Sequence, residues 1–140
     1  MVDNIATHIK QSDYDAIIFT VFKNKPDSNF IRSLDWHKCS SEADVALPPQ
    51  FKPFVTHNNV FSRAAYSAFA DLRLDEFLRD AGIEKVIICG VDTDACVLAT
   101  AFSAFDNGYL VDVNFNLTYS DGGLEDQARA IIERSLIARQ

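Results

Sequence analysis

"KVIICGVDTDACVLATAFSAFDNGY", Lys85 to Tyr109, decides the fold. Its first seven residues form an apolar run of strand length, and the Ala- and Leu-rich segment from Cys96 onward has a helical composition closed by Gly108. A short acidic turn, Asp92 to Asp94, joins the two, with Thr93 or Asp94 as the expected helix cap. A buried strand passing into a helix is half of a parallel βαβ unit, because parallel neighbours need a crossover and the crossover is usually a helix.

The flanks continue the pattern. "YSAFADLRLDEFLRDAG", Tyr66 to Gly82, spaces Phe69, Leu72, Leu74, Phe77 and Leu78 so that most share one helical face, with Gly82 at the C-terminal cap. "YLVDVNFNL", Tyr109 to Leu117, alternates like a strand nearer the sheet edge, and "LEDQARAIIERSLIARQ" gives a helix with a final short strand over "SLIAR". Towards the N-terminus, "DNIATHIKQS" reads as a short helix capped by Asp3, and "DAIIFTVF", Asp15 to Phe22, as a strand buried on both faces. A loop from about Lys23 to Phe51 contains "NKPDSN" and "LPPQ", and "KPFVTH", Lys52 to His57, reads as a short strand. Loops this long in compact domains tend to be functional. The expected architecture is α/β, a three-layer α/β/α domain over residues 1–140 with a mostly parallel sheet of about five strands.

Composition narrows the function. A hydrophobic fraction of 48% and a charged fraction of 24% are those of a globular protein. A net charge of −7 and a pI near 4.8 argue against nucleic acid, whose binding needs clustered Lys and Arg. No apolar run approaches the roughly 20 residues that span a bilayer, and "MVDNIATHIKQSDYD" lacks the order of charges of a secretory signal, so a cytoplasmic location is expected. Cys39, Cys89 and Cys96 show no CxxC or zinc-ligand spacing, which points to free thiols and to no metal or cofactor.

Cys96 is placed for chemistry. A thiol attacks as thiolate, and the free N–H groups at a helix start favour that anion and the oxyanion formed when it attacks a carbonyl. Asp92 and Asp94 oppose the thiolate through like charge. The bland alternative is a small apolar core residue. His37 beside Cys39 and the lone His57 read as ordinary polar loop residues.

"GVDTDACVLATAFSAFDNGY", Gly90 to Tyr109, together with the preceding "YSAF" and "LRLDEFLRDAGIEKVIICGV", resembles the signature of the isochorismatase-like cysteine hydrolases, the family of nicotinamidases, carbamoylsarcosine amidases and isochorismatase. The resemblance is specific from about Phe54 to Ser120 and looser from Ile5 to Phe30. It implies Cys96 as the nucleophile, the backbone amides of Asp92 and Cys96 as the oxyanion hole, and a cis peptide at Val91–Asp92. It also implies a small-molecule substrate and assembly into a homo-oligomer. Phe22, Phe30, Trp36, Phe61, Tyr66 and Phe69 are candidate pocket walls should the loops fold over Cys96.

The chain departs from the family in several places. The family's first strand carries an aspartate that serves as base for the cysteine, and this sequence begins at the helix that follows. The position of the family's catalytic lysine is Arg63, which keeps the charge but cannot shuttle protons at neutral pH. The nicotinamidase metal ligands near "KNKPDSNF" are unmatched apart from Asp27, and Asn116, a further pocket candidate, stands where an aspartate is common. Three functional expectations follow: a cysteine hydrolase using Cys96 and Arg63, a non-catalytic relative that binds a ligand or partner, and a chain whose native form carries the aspartate strand upstream. Without that strand, "DAIIFT" is expected to lie beside "KVIICG", because unpaired buried backbone is costly.

Overall fold

The structure, a computed structural model, describes residues 1–137. The elements in chain order are α1 (Val2–Gln11), β1 (Phe19–Phe22), α2 (Asn29–Arg32), a 3₁₀ helix (Pro49–Phe54), β2 (Val60–Arg63), a 3₁₀ turn (Ala68–Ala70), α3 (Leu72–Asp80), β3 (Lys85–Val91), a π-helical turn (Thr93–Val97), α4 (Leu98–Asp106), β4 (Leu110–Tyr119) and α5 (Glu125–Ser135). The fold is α/β, with strands and helices alternating and the strand pairs parallel.

Among the described residues the strands form two separate parallel pairs, β1 with β2 and β3 with β4, rather than one sheet of about five strands. The expected pairing of "DAIIFT" with "KVIICG" is therefore not made. Side chains hold the halves together instead. One apolar cluster joins Phe61 of β2 to Val111 and Val113 of β4 under Leu74 and Leu78 of α3, Ala101 and Ala104 of α4 and Ile132 of α5. A second joins Phe19 of β1 and Phe51 to Ile5 of α1 and Leu117 of β4. Leu117 belongs to an irregular stretch: between the pairs Ile88↔Val113 and Gly90↔Thr118, Cys89 alone stands opposite residues 114–117. The extra residues let β4 reach the cluster around Phe19 without a ladder.

Two strands differ from expectation. β1 begins at Phe19 rather than Asp15, because its partner begins at Val60 and, among the described residues, no second strand pairs with it. In β3 exposure alternates, and Ile87 and Val91 are 43% and 49% exposed although the run is apolar throughout. The Leu110 N–H donates to the Glu84 carbonyl, which in a parallel ladder turns the Val86 and Ile88 amides towards β4 and those of Ile87 and Cys89 away from it. Hydrogen exchange is accordingly expected to be at least roughly tenfold faster at Ile87 and Cys89 than at Val86 and Ile88. Equal protection at all four would mean that something covers that edge.

Two further expectations are corrected. Lys52–His57 is not a strand: Pro49–Phe54 is 3₁₀ helix with Pro53 inside it, and the strand is Val60–Arg63. Its start is set by the buried Asn59, whose amide donates to the carbonyls of Ile17 (2.9 Å) and Phe54 (2.8 Å) and accepts from the Thr56 N–H (2.7 Å). Asp3 does not cap α1; it lies in the first turn and accepts from the Gln50 amide at 3.0 Å. α3 and α4 match their sequence pattern, each followed by a glycine at positive φ, Gly82 (68°) and Gly108 (93°). In the expected strand Ser135–Arg139, Ser135 ends α5, Leu136 and Ile137 are turn and bend, and the remainder lies outside the described residues.

α3 is tied to the end of α4 by one polar cluster. The Tyr109 hydroxyl donates to Asp75 at 2.6 Å, Arg79 Nε donates to the same carboxylate at 2.8 Å, and Arg79 Nη2 donates to the Asn107 carbonyl at 2.9 Å. These bonds hold the Asp75 carboxyl below its usual range, and burial beside Asp75 pushes the Tyr109 phenol up to about 12. A lowered carboxyl gives stability that is present above the unfolded pKa and lost as pH falls through the folded one; a raised phenol gives stability that is present below about pH 10 and lost as pH rises towards 12. Tyr109→Phe is expected to cost about 1.5 kcal/mol near neutral pH and to flatten the alkaline decline, which denaturant melts at several pH values would read. An unchanged alkaline limb would refute the assignment.

Candidate active site

The C-terminal ends of β1, β2 and β3 bring Phe22, Arg63 and Val91 to one end of the molecule, where an α/β protein places its ligands. The Val91–Asp92 peptide bond is cis. The chain then enters the π-helical turn Thr93–Val97, in which the Val97 N–H reaches the Asp92 carbonyl at 3.1 Å, and Cys96 sits half-buried in that turn.

Neither expected cap acts as one. Thr93, fully buried, points its hydroxyl at Glu125 (3.4 Å), and Asp94 accepts from the Leu124 N–H (3.3 Å). Both thus fasten the turn to the start of α5. The loop between them fits closely: a Cβ at Gly122 would stand 2.8 Å from Asp94 Oδ2.

Arg63 lies beside the Cys96 thiol, near enough for each to act on the other's ionisation. Burial pushes the thiol above its ordinary value; the guanidinium pulls it down and the Asp92 carboxylate pushes it up, and the net direction is upward. Cys96 is therefore a neutral thiol at neutral pH. The Asp92 carboxyl is itself raised by burial and by the charges of Asp94 and Asp121. Burial lowers the Arg63 pKa, yet a guanidinium remains charged.

Of the expected pocket walls, Phe22 and Tyr66 join Phe30 and Trp36 in an aromatic cluster next to Arg63. The Phe22–Phe30 and Phe30–Tyr66 centroids are 4.7 and 4.8 Å apart, and the Arg63 guanidinium lies 5.7 Å from the Phe22 ring centre. Phe30 of α2 and Trp36 come from the segment between β1 and β2, which gives that segment its place in the site. Phe61 and Phe69 belong to the core, packed against Phe77 and Tyr109. Asn116 lies elsewhere, at a hollow of about 340 Å³ beside Ile87, Asn114 and Arg129.

His37 pairs with Asp35 at 2.7 Å on the surface, and His57 is exposed. Asp27 is exposed as well. Among the described residues no three His, Cys, Asp or Glu side chains are grouped to hold a metal ion, and no helix is long and apolar enough to cross a membrane. What the sequence did not reveal is the isolation of Arg63: its Nε and Nη1 are shut off from solvent without a hydrogen-bond partner.

The isochorismatase domain model matches residues 1–120. The chain belongs to the isochorismatase family. The Escherichia coli nicotinamidase is 37% identical over 81 residues, covering 51% of this chain and 37% of that enzyme. The chain thus matches well under half the length of the curated relatives. Among solved structures, an isochorismatase-like hydrolase from Alkaliphilus metalliredigens has a TM-score of 0.84 at 19% identity, over 97% of this chain and 78% of that one. An N-carbamoylsarcosine amidase from Thermoplasma acidophilum has a TM-score of 0.80 at 23% identity, over 96% and 75% of the two chains. At these identities the structures show that the isochorismatase-family fold is shared.

Proposed function

We propose that this isochorismatase-family chain is a cysteine hydrolase acting on an amide or similar bond of a small molecule. The observation that carries the reading is the placement of Cys96: a half-buried thiol in the turn after β3, beside the partly buried Arg63 guanidinium and at the strand ends. In the first step Sγ bonds to the carbonyl carbon and the C=O electron pair moves onto oxygen, next to the main-chain amides of Asp92 and Cys96. Collapse expels the amine, which takes up a proton. Water then cleaves the thioester, so that amide and water become acid and amine. Arg63 supplies positive charge near Sγ without moving a proton. The thiol proton has to leave before or during attack, and the group that takes it is unassigned.

The raised Cys96 pKa and the absence of a carboxylate paired with Arg63 among the described residues favour a second reading, a catalytically impaired member that binds a ligand or takes part in an assembly. Intact-mass analysis during incubation with a panel of small amides and activated esters separates the two. The hydrolase reading expects an acyl adduct, released by hydroxylamine and absent from Cys96→Ala. A panel that leaves the mass unchanged and yields no acid supports the second reading.

A further inference from the structure

The segment that leaves β1 is folded back by one buried side chain. The Lys23 N–H donates to the Arg63 carbonyl at 2.8 Å, which carries the pairing of β1 with β2 one bond further. Asn24 follows at once and is 5% exposed. Its Nδ2 donates to the carbonyls of Trp36 (2.9 Å) and Lys38 (3.2 Å), its Oδ1 accepts from the Ser28 hydroxyl (2.5 Å), and its N–H donates to the Cys39 carbonyl (2.8 Å). A buried amide satisfied at both ends fixes one arrangement of the chain around it.

That arrangement carries the aromatic residues of the site. Ser28 is the N-cap of α2, which bears Phe30, and the Trp36 N–H donates to the Phe30 carbonyl at 2.8 Å. Phe30 bridges Phe22 and Tyr66, whose ring centres are 4.7 and 4.8 Å from its own, and Trp36 lies 5.5 Å from Phe22. Phe22 and Tyr66 are in turn the neighbours of Arg63, one through its ring at 5.7 Å and the other through its carbonyl at 3.5 Å. A chain of contacts thus runs from Asn24 to the guanidinium beside Cys96.

We propose that Asn24 is a positioning residue for the Cys96 site: it latches the segment from Lys23 to Cys39 against the end of β1, and so holds the Phe30 and Trp36 rings as a cover on the Arg63 side of the thiol. The inference deepens the cysteine-hydrolase reading, on which its consequence for turnover rests. Asparagine suits the latch better than its near-isostere. An aspartate at this position would keep the acceptor for Ser28 but set a carboxylate against the Trp36 and Lys38 carbonyls, and an alanine would leave all three groups without their partner.

The single tryptophan and the three cysteines test this without requiring turnover. Trp36 reports the segment, Cys39 lies at its far end, Cys96 is at the site and Cys89 is on β3. In Asn24→Ala and Asn24→Asp the Trp36 emission should shift to the red. Iodoacetamide, followed by peptide mass spectrometry, should modify Cys96 and Cys39 at least roughly fivefold faster than in the wild type, while Cys89 changes by less than about twofold. The pH midpoint of the Cys96 reaction should move down, because burial is the main cause of its raised value and the charges facing it, Arg63 and Asp92, are unaltered. A faster Cys39 with an unchanged rate and midpoint at Cys96 would show that Asn24 orders its loop and nothing more, and would overturn the proposal. A Trp36 emission that stays in place would overturn it as well. Where the Asn24 variants unfold, so that all three rates rise together, Ser28→Ala decides: Cys96 at least about twofold faster beside an unchanged Cys89 supports the latch, and an unchanged Cys96 overturns it. If no amide is hydrolysed by the wild type the hydrolase reading falls, while the thiol rates still decide whether Asn24 holds the cover.

Discussion

Cys96→Ala is expected to lower kcat/KM for any amide this protein hydrolyses by roughly 10⁴-fold, because removing the nucleophile leaves only binding and oxyanion stabilisation. Stability should change by less than about 1 kcal/mol, since Cys96 is half-buried and lies outside both apolar clusters. The pH profile is the second arm of the experiment. Burial and Asp92 hold the wild-type thiol above its ordinary value, so kcat/KM should still be climbing at pH 8 to 9, where an unperturbed thiol near 8.5 would begin to level off. A Cys96→Ala variant with turnover within tenfold of wild type would place the chemistry on another residue. A profile already flat below about pH 7 would show that a base acts on the thiol.

Ile132→Ala should be the most damaging single truncation in the core. Ile132 is fully buried on α5, in the cluster that also holds Val97, Ala101, Ala104, Val111 and Val113, whose small or stiff side chains fill a cavity poorly. Such positions collapse poorly, and the loss is expected at about 3 to 4 kcal/mol. For a chain of this size that means a fall in Tm on the order of 10 °C. Urea melts should show a lower midpoint at an unchanged slope. A loss under about 1 kcal/mol would mean that α5 is not docked as described.

The elements that were legible in the sequence are those whose own residues decide them. α3 carries its apolar face and a terminal glycine, and β3 into α4 combines an apolar run with a helical one. Where a neighbour decides, the reading failed. β2 forms at Val60–Arg63 because Asn59 fastens Ile17 and Phe54 and aligns the chain with β1, whereas the β-like composition of Lys52–His57 is overruled by Pro53 and its 3₁₀ turn. β1 is shorter than its apolar run because, among the described residues, it pairs with β2 alone, and that pairing begins at Phe19↔Val60. In the site, Phe22 and Tyr66 lie in the aromatic cluster near Arg63, whereas Phe69 packs against Tyr109. Nothing in the spacing of Thr93 and Asp94 signals that they reach forward to α5 rather than backward to their own turn.

Arg63 and Cys96 stand on opposite sides of a seam. Arg63 ends one strand pair and Cys96 follows the other, and no backbone ladder crosses between them among the described residues. What spans the seam is softer: the two apolar clusters, the Ser67–Ser103 hydroxyl pair at 2.8 Å, and the Ala68 N–H donating to Thr100 Oγ1 at 3.0 Å. Side-chain contacts of this kind yield to small sliding motions that a hydrogen-bonded sheet resists. The spacing of guanidinium and sulfur is thus a gauge of how the two halves are set against each other, and whatever stiffens the seam also tunes the reactivity of the thiol.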